Sequence, residues 1–152
     1  MLRPNIEYPA LGPNRYFDHL FDCEAVKIMP GEYYATREGN LIVTVLGSCI
    51  AVCLYDLERK IGGMNHFLLP SCDNHGNGIL AESARYGVYA MELLINDLLK
   101  LGARRQFIEA KVFGGGNMLS GLTLHNIGER NAEFVLNYLQ IEQIPVIAAD
   151  LL

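Results

Sequence analysis

Cys49 and His66 are the residues through which this sequence could do chemistry. Cys49 stands in LGSCIAVCLYD (46–56), directly after Gly47-Ser48 and ahead of an apolar run. A glycine at that point gives the backbone freedom to turn sharply, which lifts a side chain out of the plane of a strand. His66 stands in GGMNHFLLP (62–70), on a second apolar run, after a glycine pair and the polar Asn65. A cysteine attacks as a thiolate and needs a base to form it, and an amide substrate needs a proton on its departing nitrogen. One imidazole, titrating near neutrality, can serve both steps. Two neighbouring strands would bring the pair together. The competing reading is structural. Free cysteine is among the most buried residue types, and a single strand histidine can be a core residue whose nitrogens are satisfied by backbone. Cys53, in mid-strand between Val52 and Leu54, reads as a buried thiol, while His19, His75 and His125 fall in the arm or in loops.

Two other constellations compete for attention. Cys49-x-x-x-Cys53 with Cys72-x-x-His75 would supply four soft ligands, and positions i and i+4 of a strand share a face. The sulfurs are too widely spaced for a tetrahedral ion without a bend, and no second C-x-x-C knuckle exists, so neither a metal nor a cofactor is expected. Gly114-Gly115-Gly116-Asn117 follows a strand-like run and could offer backbone donors to an anion or an oxyanion. It has no Lys-Ser/Thr of a P-loop and no G-x-G-x-x-G. It reads as a tight turn or as the lining of a substrate groove. Gly115 and Gly116 are then candidate oxyanion or substrate contacts, together with Gly47, Ser48 and Asn65.

The elements that must position these groups follow from periodicity. Residues 1–14 hold three of the six prolines and read as an extended arm, and RYFDHLFD (15–22) as a possible short helix. Apolar runs at 24–29, 33–36, 41–46, 50–55 and 63–69, bounded by Gly or Asn, fit buried strands. From 81 to 101, Val88, Met91, Leu94, Ile95, Leu98 and Leu101 recur at helical spacing, and Gly102 sits where a helix C′ glycine belongs. A strand over 107–113 runs into the glycines. Asn126-x-x-Glu129 resembles a capping box before a helix to about Gln140, and 145–149 reads as a last strand. The pattern is that of a layered α/β domain over 23–152, with a helical layer on a sheet, preceded by the arm of residues 1–22.

Composition limits the function classes. The chain has 152 residues, 51% hydrophobic and 19% charged, enough to bury a core as one domain. The net charge is −5 and the basic residues do not cluster, the densest spot being Arg104-Arg105. That argues against nucleic acid or an anionic membrane as the main partner. No apolar run is long enough to cross a bilayer, and the first residues lack the apolar stretch of a secretory signal. A cytoplasmic protein with reduced thiols is expected.

VTVLGSCIAVCLYD, IGGMNHFLLP, ARYGVYAMELLINDLLKLGA, EAKVFGGGNM and NIGERN, in that order, resemble the chemoreceptor glutamine deamidase family, CheD, over residues 24–150. The resemblance implies a layered α/β sandwich related to the catalytic domain of the cytotoxic necrotising factor toxins. It implies conversion of receptor glutamines to glutamate through a thioester, in chemotactic adaptation. Cys49 would be the nucleophile, His66 its partner and Thr44 the third group. Thr44 lies an odd number of positions before Cys49, so in one straight strand the two would face opposite sides; a bend or bulge at Gly47 would reconcile them. The implied partners are methyl-accepting chemotaxis receptors as substrate and a CheC-type phosphatase. The alternative role is that of a binding module which regulates such a phosphatase. The family's Arg-containing C-terminal tail is not carried over to this sequence, which reads Asp150-Leu151-Leu152 there.

Overall fold

The computed structural model of the chain describes residues 14–70, 77–116 and 127–151. Eight strands and two helices follow in the order β1 (Asn14–Asp18), β2 (Cys23–Lys27), β3 (Tyr33–Thr36), β4 (Leu41–Val43), β5 (Ile50–Asp56), β6 (Ile61–Phe67), α1 (Asn77–Leu101), β7 (Ile108–Gly114), α2 (Ile127–Ile141) and β8 (Val146–Leu151). The strands make two sheets, β1-β2-β4 and β3-β6-β5-β7-β8.

β5 lies at the centre of the larger sheet, antiparallel to both β6 and β7. Its alternation builds the layers. Ile50, Val52 and Leu54 point to the helical side, where they join Met91, Leu94, Leu98, Val135 and Leu139 in the main core. Ala51 points the other way and packs with Val26, Ile28 and Met64, beside Cys53, under the small sheet. The result is an α/β sandwich of three layers: two helices, the five-stranded sheet and the three-stranded sheet. Each fully buried Leu, Ile or Val contributes about 1.5–3 kcal/mol.

The helix expected from residue 81 begins at Asn77, and the apolar stripe lies against the sheet as its spacing requires: Met91, Leu94, Ile95 and Leu98 are buried. Gly102 has φ of 109°, and its N–H caps the carbonyl of Leu99. Asn126 of the expected capping box lies outside the described residues.

Two expectations are corrected. Residues 15–22 are not a helix: 14–18 form β1, antiparallel to β2, and the following turn is closed by Asp18 Oδ1, which accepts from the N–H groups of Leu20 and Phe21. A two-turn helix is too short to hold itself together in water, whereas the strand gains a full ladder and the Arg15–Glu24 ion pair across it. The run 41–46 is not one strand. Only Leu41–Val43 pair, and they do so with β2 in the small sheet, so Thr44 and Cys49 do not share a strand.

Candidate active site

The Cys49 turn is held from one side by its three carbonyl groups. Gly116 N–H donates to the Gly47 carbonyl and Gly115 N–H to that of Cys49, both at 2.8 Å. Asn131 Nδ2, from α2, donates to the Ser48 carbonyl at 2.9 Å. The glycine loop is shaped for this contact. Gly114 and Gly115 have φ of 107° and 69°, and a Cβ on Gly114 would stand 2.1 Å from the Cys49 carbonyl oxygen. Only glycine tolerates both the conformation and the approach. Gly115 and Gly116, expected as oxyanion donors, thus have their N–H groups committed to the turn that carries the cysteine. Their observed part is to hold that turn.

His66 approaches from β6. In the register it faces Ala51, one pair in from the end of the ladder at Ile50–Phe67, and Cys49 immediately precedes that end. His66 is 2% exposed, and its Nδ1 lies 2.7 Å from Thr44 Oγ1. Thr44 Oγ1 also donates to the Ile28 carbonyl at 2.8 Å. A hydroxyl has one proton. Since that proton goes to Ile28, Thr44 must accept from His66, which places a proton on Nδ1 and leaves Nε2 with its lone pair. Nε2 is buried and has no hydrogen-bond partner among the described residues. Thr44 reaches His66 because it leaves β4 from the small sheet and crosses to the face on which His66 lies, so the straight-strand parity does not apply.

Burial pushes the Cys49 thiol above its ordinary value, with its own backbone N–H pulling the other way. Burial also pushes His66 below the ordinary imidazole value. Both shifts favour neutral forms. Burial thus favours the thiol over the thiolate and the imidazole over the imidazolium.

The other expected residues divide by face. Asn65 lies beneath the helices, away from the His66 side: its Oδ1 accepts from Val52 N–H at 3.1 Å, and its Nδ2 donates to the Ala90 carbonyl at 3.4 Å. It ties β6 to β5 and α1 and is 2% exposed. Gly47 and Ser48 contribute the carbonyls already described. Cys53 is partly buried beside the small core, and burial raises its thiol to about 11, with Lys111 opposing, which makes it a poor nucleophile. Cys72 and His75 of the four-ligand reading lie outside the described residues. Among the described residues no three His, Cys, Asp or Glu side chains gather as a metal site. Asn131 closes the NIGERN stretch, but one asparagine in a helical segment carries no periodic signal that would mark its side chain.

Comparison with known proteins places the chain in a family. The family model described as CheD chemotactic sensory transduction matches residues 68–152, beginning just after His66. The upstream half is covered by relatives. The chain is 69% identical over all 152 residues to a probable chemoreceptor glutamine deamidase CheD 1 of Shewanella oneidensis, 74% of whose length it spans. It is 61% identical over 142 residues (93% of the chain, 70% of the relative) to the protein of that same description in Dechloromonas aromatica. It is 58% identical over 138 residues (91% and 68%) to a probable chemoreceptor glutamine deamidase CheD of a Janthinobacterium species. With more than half of the chain matched by the family model, and two thirds or more of these relatives spanned at such identity, the chain belongs to the CheD family.

Proposed function

We propose that the chain is a protein-glutamine deamidase that converts glutamine side chains of chemotaxis receptors to glutamate. The observation that carries the mechanism is the buried, unpartnered Nε2 of a histidine whose other nitrogen is locked as a donor by Thr44. Such an imidazole has one free lone pair, and His66 pairs with Ala51, two residues from the partly buried Cys49.

Nε2 takes the proton of Cys49 as Sγ attacks the carboxamide carbon of a glutamine. The carbonyl oxygen becomes an oxyanion. Collapse of the tetrahedral intermediate breaks the C–N bond, and His66 returns its proton to the leaving nitrogen, which departs as ammonia. A thioester remains on Cys49. Water then attacks the acyl carbon while giving a proton to Nε2, the C–S bond breaks, and His66 reprotonates the sulfur. The new carboxyl group gives its proton to the ammonia, and the sum is glutamine plus water to glutamate plus ammonium. Thr44 acts through His66, accepting from Nδ1–H and stabilising the transient imidazolium. The new carboxylate is a site that methyl esterification can later neutralise, which links the reaction to receptor adaptation.

The chemistry requires a free thiol, so a reducing cytoplasm is the proposed location. Among the described residues no helix is long and apolar enough to cross a membrane. The resemblance also supports a CheC-type phosphatase as a binding partner, and a pull-down beside the activity assay tests that.

The activity test uses receptor cytoplasmic fragments, with converted glutamines mapped by mass spectrometry. Wild type is expected to convert specific glutamines. His66→Ala should lose roughly 10²–10⁴-fold, the usual contribution of a general acid–base, and Cys49→Ala should be inactive. Cys53→Ala should retain activity. Conversion by Cys49→Ala at the wild-type rate ends the proposal.

A further inference from the structure

Asn131 is fully buried on α2, and both ends of its amide are engaged: Oδ1 accepts from Leu69 N–H at 3.1 Å, and Nδ2 donates to the Ser48 carbonyl at 2.9 Å. Leu69 lies just past the end of β6, close behind His66, and Ser48 immediately precedes Cys49. One side chain therefore joins the strand that carries the base to the turn that carries the nucleophile.

Asparagine has little intrinsic reason to be there. It is a modest helix former, and a buried amide is costly unless its polar atoms are paired. The neighbouring positions facing the sheet, Ala132, Val135 and Leu139, are apolar and buried. The pairing that Asn131 finds is with backbone outside its own helix.

The consequence comes from the planarity of the peptide. In a trans peptide the C=O and N–H point in opposite directions. Drawing the Ser48 carbonyl toward α2 therefore aims the Cys49 N–H away from α2. The flanking carbonyls of Gly47 and Cys49 are held by backbone N–H groups of the glycine loop, so of the three only the middle one depends on a side chain. The glycine loop's own N–H groups at Gly115 and Gly116 are already taken. The Cys49 N–H, on the residue that carries Sγ, is therefore a donor whose direction Asn131 sets, and the one we assign to an oxyanion formed on the carbon that Sγ attacks.

We propose that Asn131 is a positioning residue for the acyl-transfer step: it fixes the Ser48–Cys49 peptide plane so that the Cys49 N–H faces the developing oxyanion. The proposal rests on the thioester mechanism above. Because the oxyanion exists only in and around the transition state, the loss should appear in kcat with KM held.

The experiment compares wild type, Asn131→Ala and Asn131→Asp. The aspartate keeps an acceptor for Leu69 N–H and removes the donor to Ser48, so it carries the test if the alanine variant does not fold. Three rates are measured: deamidation of the receptor fragment, hydrolysis of p-nitrophenyl acetate, and alkylation of Cys49 by iodoacetamide. Deamidation and ester hydrolysis pass through an oxyanion, whereas alkylation does not. Removing a direct oxyanion donor costs about 10²–10³ in kcat, so an indirect loss of at least about tenfold in kcat is expected, with KM unchanged and alkylation slowed far less. A folded variant with wild-type kcat, a rise in KM alone, or alkylation falling as far as turnover overturns the assignment. Wild type that hydrolyses the ester but leaves receptor glutamines intact removes the deamidase reading and still tests Asn131 on the ester. Wild type inert toward both overturns both.

Discussion

The single hydroxyl proton of Thr44 decides the protonation of the whole site. It goes to the Ile28 carbonyl, so Nδ1 of His66 must donate and Nε2 must accept. Thr44→Val keeps the shape and removes the acceptor. The imidazole then loses both its tautomer lock and the partner of its cationic form. A hydrogen bond to a charged group is worth about 1.5–3 kcal/mol, and that corresponds to about ten- to a hundredfold in rate. Thr44→Val should lose that much kcat/KM in the glutamine assay and some melting temperature as well, because the Ile28 carbonyl and His66 Nδ1–H lose their partner, while Thr44→Ser should keep most of both. A fully active Thr44→Val would remove Thr44 from the mechanism. Cys49 and His66 were legible in the sequence as a thiol after a Gly-Ser turn and an imidazole on a neighbouring run. The contact of Thr44 was not, because periodicity shows that 41–46 is apolar and not which sheet it joins.

At the scale of elements, the site is a junction of four strand ends, of β4, β5, β6 and β7, and the start of α2. β7 runs into Gly114–Gly116, which hold the Cys49 turn; α2 begins against the same loop, with a Cβ at Gly128 placed 2.1 Å from the Gly115 carbonyl oxygen. Backbone meets backbone here with no room for a side chain. Gly114→Ala would put a methyl group into the Cys49 carbonyl at a φ of 107°. Relief requires the loop to swing away and release the turn. The strain alone costs about 1–3 kcal/mol, and a displacement near 1 Å at a reacting group can cost about a hundredfold in rate. Gly114→Ala is expected to lose both stability, by denaturant unfolding, and kcat. Unchanged kcat in a folded variant would show that the loop does not hold the nucleophile. In the sequence the glycines read equally as a turn, an anion cradle or a groove. The choice depends on the β5–β7 register, which joins Ile50 to Gly114 across more than sixty intervening residues. No local pattern encodes such a pairing. The segment 15–22 was misread for a related reason: its helical appearance is local, while its partner β2 lies beyond a turn.

At the scale of the whole molecule, β5 is fastened at both ends, and the end remote from Cys49 uses charge. Asp56 is buried and accepts from the backbone N–H and Nε of Arg104 at 3.0 Å, from Arg104 Nη2 at 3.1 Å and from Arg59 N–H at 3.2 Å. Arg104 in turn lies 4.0 Å over the ring of Phe107 and pairs with Glu58. This clamp joins the central strand to the connection between α1 and β7, closing the end of the main core. The Arg104 guanidinium holds the Asp56 carboxyl well below the usual carboxylate range. A carboxylate favoured in this way by the folded state contributes its full stabilisation above the ordinary aspartate value of 3.8, and loses it progressively as the pH falls below that. Asp56→Asn keeps the shape but gives up the charge and part of the acceptor capacity. It should lower the melting temperature clearly at pH 7 and much less near pH 2, so the two stability profiles converge on acidification. Six strand residues lie between Asp56 and Cys49, a span of roughly 20–24 Å. Turnover of the folded variant at 25 °C should therefore match wild type within about twofold, the additivity expected of distant sites. Convergence at low pH with activity intact fits a clamp that stabilises the fold alone. A tenfold loss of kcat at an unchanged melting temperature would mean instead that β5 transmits the position of its charged end to the thiol.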